Sequence, residues 1–346
     1  MFNTSVSKRK GKPIKRRRTK PLTSTDSHEI SLTLEDARDY VYSYKRSEGL
    51  REKTLNDYQK IQNYFIDWLD EFHPKVIYIN EVTSGMIRQY VNHLQDDYFN
   101  QRTKDYGLSP STINIRLRNM GAFFNVLHRE KVINDNPMAL IKLLKTDEDT
   151  FQPLTEDEID RLLKVPDIRE YAQFRDLVGM YLILDTGIRV SEMFDLKIKH
   201  VDFKVRSIYL SGEITKNRKP RILPLSNKVL SLLMELITEV KYNWDTEYVF
   251  VSNFGEKYLT TSFRRRLDLY KKRANIDKRV TPHGLRHQFC RDYIMNGGDV
   301  FTLQRIAGHA DINTTRKYIQ FTNDDLKAKH AQFSPIARRR KKYRNR

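Results

Sequence analysis

The chain is 346 residues long and 39% hydrophobic, enough for two domains with cores of their own. Its one cysteine, Cys290, excludes an internal disulfide framework and fits a reducing cytoplasm, and no apolar run approaches the roughly 20 residues that a membrane helix needs. The net charge of +19 points to nucleic acid as partner, but residues 1–20 hold nine Lys/Arg and residues 338–346 seven, with no acid in either, leaving +3 for the 317 residues between.

In chain order, residues 1–31 read as a flexible basic arm. No apolar stretch follows its charges, so a secretory signal is not expected. From Leu34 a helical period begins, with Ala37, Tyr40, Val41 and Tyr44 on one face and Gly49 closing it. A second helix is predicted from about Lys53 to Glu71, and a third after Thr83. The polar segment Phe99 to Leu108 reads as a loop. Ser109 then caps a fourth helix with Pro110 in its first turn. Together these make a helical domain over residues 32–143. LKTDEDTFQP has few apolar positions and places an interdomain linker at 144–154. Thr155 and Glu158 form a capping box that opens the second domain, 155–336. Within it, Ser207–Leu210 and Arg221–Pro224 read as the two strands of a hairpin. Residues 225–240 read as a helix, Tyr248–Val251 as a short extended piece, and helices return from Thr261. Residues 337–346 form a basic tail. The fold class is therefore mainly α with a small β-sheet.

Three segments of the second domain hold side chains suited to a phosphodiester. In TGIRVSEMFDL, Gly187 permits a tight backbone approach and Arg189 opens a helix with a guanidinium fork that matches two phosphate oxygens. In TPHGLRHQF, Thr281 is a natural N-cap. His283 and Arg286, three apart, share a face where the free amides of the helix already favour an anion. His287 is assigned to another face and to structure or surface. In AGHADINTTRKYIQF, Gly308 can end one helix and Thr314 begin another, with Tyr318 nine residues beyond His309. The chain has nineteen tyrosines, so Tyr318 is singled out by its place in the series. Arg264, Arg265 and Arg266, with Lys271, Lys272 and Arg273, lie on the preceding helix and read as phosphate contacts that give position more than sequence. Cys290 reads as a small apolar residue of its helix. No metal-ligand cluster stands out.

These segments resemble the boxes of the tyrosine recombinase (phage integrase) family over about residues 155–325. The helical region before them is similar to that family's core-binding, SAM-like domain in size and order. The resemblance adds a lysine on a hairpin turn. Aligning RILPL with the family's second strand puts Lys216 there, with Lys219 as the competing choice. It implies a metal-free and nucleotide-free site-specific recombinase. Arg189 and Arg286 would clamp the scissile phosphate and Tyr318 would attack it, giving a 3′-phosphotyrosyl link. His283 would act as base and later acid, Lys216 would protonate the 5′ oxygen, and His309 would hydrogen-bond the phosphate. The implied partners are duplex DNA with inverted-repeat core sites, a homo-tetramer in synapsis exchanging strands through a Holliday junction, and an accessory DNA-bending or directionality factor. Integration or excision of a mobile element is the expected use. Residues 325–336 are expected to form a C-terminal segment that docks on a neighbouring protomer. A DNA-binding regulator that leaves the chemistry unused, and a type IB topoisomerase, are the competing readings.

Overall fold

The computed structural model describes residues 31–101, 103–146, 151–215 and 217–316, with positions 330, 331, 334 and 336. The basic arm, Lys216, Tyr318, the middle of the linker, the C-terminal tail and most of the segment 325–336 lie outside the described residues. The chain divides into two compact units, Met1–Glu148 and Asp149–Arg346. No helix of the described residues is long and apolar enough to cross a membrane.

In the first unit α1 (Leu34–Ser47) starts on Thr33, whose hydroxyl accepts from the Asp36 N–H, and α2 spans Glu52–Phe72. α3 (Ser84–Asn92) starts on Thr83 in the same way and runs into a π turn, His93–Asp97. The segment expected as a loop instead forms a small antiparallel hairpin, β1 (Phe99–Asn100) and β2 (Asp105–Tyr106), whose aromatic rings meet edge to face at 5.3 Å. Aromatic pairs of this kind stabilise a short ladder beyond what composition suggests. α4 (Pro110–Arg129) is capped by Ser109 as the sequence predicts. Leu69, Ile87, Leu94, Ile113, Leu117, Phe124 and Leu127, at helical spacing, fill the core.

The second unit opens with the predicted capping box. Thr155 Oγ1 accepts from the Glu158 N–H at 3.1 Å, and the Glu158 carboxylate accepts from the Thr155 N–H at 2.7 Å, at the start of α5 (Glu156–Lys164). α6 (Tyr171–Thr186) is buried along most of its length and ends on Gly187, at φ +61. A Cβ there would lie 2.3 Å from the Phe289 ring, so only glycine fits the turn. α7 (Val190–Phe194) follows at once. β3 (Val201–Asp202), not anticipated from the sequence, joins β4 (Ser207–Leu210) and β5 (Arg221–Pro224) in a three-stranded antiparallel sheet with Ile208 opposite Leu223. α8 (Asn227–Asn243) packs on α6. Tyr248 and Val251 form isolated bridges and no full strand. α9 (Thr260–Arg273), α10 (Pro282–Met295), α11 (Val300–Ala307) and α12 (Ile312–Arg316) complete the unit. α12 starts two residues before the expected Thr314. Val178, Leu182, Ile183, Phe250, Phe263 and Leu285 lie at the centre of the core.

Candidate active site

The site is built around the end of α11. Gly308 sits at the C-cap with φ +65, a conformation a side chain would strain, and terminates the helix. The carbonyls at a helix C-terminus lack intrahelical partners and carry partial negative charge. Three arginines from three other elements take three of them in succession. Arg221 Nε, from β5, donates to the Ile306 carbonyl at 2.9 Å. Arg286 Nη2, from α10, donates to Ala307 at 2.8 Å. Arg189 Nη2, from the start of α7, donates to Gly308 at 2.7 Å, and Asn217 Nδ2 donates to the same carbonyl at 3.2 Å. Arg286 also donates through Nη1 to the Gly187 carbonyl, so the turn closing α6 and the end of α11 are held by one guanidinium.

One carboxylate pairs with two of the three cations. Glu192, fully buried, accepts from Arg221 at both oxygens, at 3.1 and 2.5 Å, and from Arg189 Nη1 at 3.1 Å. Burial would raise its carboxyl; the hydrogen bond and charge of Arg221, then Arg189, more than offset that and hold it below the usual carboxylate range. Arg286, 3% exposed, is brought down to about 10 by burial and then by the charge of Arg189, which leaves it cationic at neutral pH. His309 is held at about 4 by burial, then by Arg286, Arg189, His287 and Arg221. It is therefore neutral at pH 7, with Nδ1 2.9 Å from the Thr315 hydroxyl.

Four residues singled out in the sequence thus come together: Arg189, Arg286 and His309 directly, and His283 through His287. The sequence assignment of His287 to a different face is corrected. Positions four apart are neighbours on a helix, and His287 Nε2 lies 2.7 Å from His283 Nε2 with the rings perpendicular. Lys216 and Tyr318 lie outside the described residues. Of the residues flanking Lys216, Thr215 is buried and Asn217 reaches the Gly308 carbonyl, while Lys219 is exposed. Glu192 and Arg221 were not singled out in the sequence. The only sequence signal for Glu192 was its spacing three residues after Arg189; nothing local marked Arg221.

The basic stretch on α9 divides. Consecutive residues fall 100° apart around a helix, so they cannot form one face. Arg264, Arg265, Lys272 and Arg273 are exposed and Lys271 is partly so. Arg264 and Lys271 line a cleft with Arg279, Thr281, Asp268 and Asp277 at the start of α10. Arg266 is removed from the expected DNA-facing set. Its Nε donates to the buried Asp176 carboxylate at 2.8 Å and its Nη2 to the Tyr270 hydroxyl at 2.5 Å, so its cation is engaged inside the unit. Among the described residues no group of three or more His, Cys, Asp or Glu is placed to hold a metal ion.

Comparison with known proteins agrees in sequence and in fold. The family model described as the phage integrase family matches residues 152–324, and that of the phage integrase SAM-like domain matches residues 34–144. Tyrosine recombinase XerD of Staphylococcus epidermidis is 28% identical over 303 residues, covering 86% of this chain and 98% of that protein. XerD of Staphylococcus aureus is 27% identical over the same length. The Tn1549 transposon integrase, solved in complex with a circular intermediate DNA, has a TM-score of 0.67 at 20% identity, covering 88% of this chain and 100% of that one. A lambda integrase tetramer bound to a Holliday junction has a TM-score of 0.62 at 20% identity, covering 81% of this chain and 78% of that one. At these identities the structural likeness is one of fold.

Proposed function

The chain belongs to the phage integrase family, the tyrosine recombinases, and from that premise we propose that it moves a mobile element into or out of DNA through a 3′-phosphotyrosyl intermediate and a Holliday junction. The observation that carries this reading is the fan of three arginines on the carbonyls of Ile306, Ala307 and Gly308. Backbone acceptors hold those guanidiniums before any substrate arrives, which is the preorganisation that a growing phosphorane charge requires.

In this mechanism Arg189 and Arg286 bind the nonbridging oxygens of the scissile phosphate. The Tyr318 oxygen attacks phosphorus while its proton passes to His283. The P–O5′ bond breaks as Lys216 supplies a proton to the leaving oxygen. Asn217, anchored at the site, supports Lys216 over the exposed Lys219 as that donor. His309 stays neutral and hydrogen-bonds the phosphate; if the Thr315 hydroxyl donates to its Nδ1, its proton stands on Nε2. The covalent link conserves the energy of the broken bond, so rejoining needs no nucleotide cofactor.

The same reading assigns residues 1–31 as a basic arm, 32–143 as the core-binding domain, 144–154 as linker, 155–336 as the catalytic domain and 337–346 as a basic tail. Arg264, Arg265, Lys271, Lys272 and Arg273 contact backbone phosphates beside the cleavage site. Two protomers occupy the inverted repeats of one site and two sites pair as a tetramer, with the segment 325–336 docking between protomers and an accessory factor setting direction.

The test is a nicked suicide substrate carrying the element's own junction sequence, followed by denaturing electrophoresis. A covalent adduct is expected from the native protein and none from Tyr318→Phe. An adduct that persists in that variant would overturn the nucleophile. A protein that binds the junction yet forms no adduct would be a DNA-binding regulator, and site-independent plasmid relaxation would mark a topoisomerase.

A further inference from the structure

We propose that His287 is a positioning residue for His283, fixing which nitrogen of that ring carries the proton, and that Phe151 holds His287 in place. The inference rests on the reading of His283 as the base. The two Nε2 atoms stand 2.7 Å apart with ring centroids at 4.2 Å and the planes at 90°. Two ring nitrogens share such a contact only when one bears a proton and the other does not. His287 as acceptor keeps the proton of neutral His283 on Nε2 and its lone pair on Nδ1, the nitrogen that then receives the phenolic proton.

The proton count closes. Before attack, His283 carries one proton, on Nε2. As the Tyr318 oxygen bonds to phosphorus, the phenolic proton moves to His283 Nδ1, and the imidazolium keeps its Nε2–H on His287 in a bond that is now charge-assisted. Rejoining returns the Nδ1 proton to the departing phenolate. His287 gains and loses no proton. Without it, His283 exchanges between two tautomers, one of which has its proton on Nδ1 and cannot accept at that nitrogen.

The second half of the inference comes from the segment that opens the second unit. The Phe151 ring lies 5.3 Å from the His287 ring at 31°. Three residues on, the Leu154 N–H donates to Gln288 Oε1 at 2.8 Å, and Gln288 Nε2 donates to Asp292 at 2.8 Å, which fastens the same segment to α10. Among the described residues, Phe151, which is uncharged, packs against His287 from another element, and His287 also acts electrostatically on His309.

The test measures single-turnover cleavage of the suicide substrate by the full chain between about pH 5.5 and 9, normalised to the bound complex. His287→Ala should bind DNA as the native protein does and cleave about tenfold more slowly, the low end of what outer partners of a working histidine contribute. The acidic limb of its pH profile should move to lower pH, since His283 loses the acceptor that favours its protonated form. His287→Gln, whose amide oxygen can accept from Nε2, should recover part of the rate. Phe151→Ala should move the limb in the same direction by less. If His287→Ala reduces binding or folding while the bound complex keeps the native rate and profile, the role is structural and the proposal falls. His283→Ala separates the two levels. If it cleaves with the native profile, the base assignment fails and this inference with it. If it is inactive while His287→Ala is native-like, only the inference fails.

Discussion

Arg189, Arg221 and Arg286 differ from the chain's many surface arginines in that each donates to a backbone carbonyl of α11, so their forks are aimed in advance. A lysine keeps the charge but carries its three donors on one nitrogen, which cannot span Gly187, Ala307 and a phosphate together. Arg286→Lys is therefore expected to lower single-turnover cleavage by about 100-fold, the scale of losing one preorganised transition-state donor, while DNA affinity in a filter or anisotropy assay changes little. His309 sets a pH dependence of stability. Its folded-state value of about 4 lies below the 6.5 of the unfolded chain, so between those values the unfolded state binds more protons. The contribution is full above pH 6.5 and is lost as pH falls toward 4. His309→Gln should flatten the acid side of a denaturation-midpoint curve over that window; an unchanged slope would place the acid sensitivity elsewhere. The identities of Arg189, His283, Arg286 and His309 were legible because each stands in a local pattern of caps and glycines. His287 was misassigned by a face argument that helix geometry reverses, and Arg221 became visible only when β5 was placed against α11.

At the scale of elements, helix ends do the positioning. α6 and α11 both stop on a left-handed glycine, and the Gly187 and Gly308 carbonyls become arginine acceptors. Gly308→Ala would bring a Cβ to 3.1 Å from the Arg221 guanidinium in a backbone conformation that costs about 1–2 kcal/mol for a non-glycine residue. Loss of chemical stability on that order is expected in urea titration, with a larger proportional loss of cleavage because Arg221 and Glu192 shift together. Thr281 accepts from the Gly284 N–H at 2.9 Å and starts the helix that carries His283 and Arg286. Thr281→Ala should cost about 1 kcal/mol, and a cost near zero would mean that packing alone places α10. The caps at Ser109, Thr155 and Thr281 were readable because capping is local chemistry. The β1–β2 hairpin and β3 were not, because strands of two residues show no period and depend on partners supplied by the fold.

For the molecule as a whole, the first core draws on Leu34 to Ile133 and the second on Leu154 to Leu285, so each unit has a hydrophobic core of its own. Two calorimetric transitions are expected, and only the one assigned to the second unit should respond to Gly308→Ala; a single transition shifted as one would refute independent cores. Of the +19 charge, most lies in the two tails. Deleting residues 1–20 should reduce the slope of log affinity against log salt by about 0.9 for each phosphate contact removed. An unaltered slope would mean that the arm makes none.

Local order, meaning most helices, several caps, the β4–β5 hairpin and the resemblance to the family, was written in the one-dimensional chain, because periodicity and capping act over a few residues. The convergence of positions 189, 192, 221, 286, 287 and 309 was decided by packing. Hydrogen bonds between residues separated by 21 to 119 positions leave no mark on the spacing of either partner, and arise only once α11 ends where three guanidiniums can reach its carbonyls.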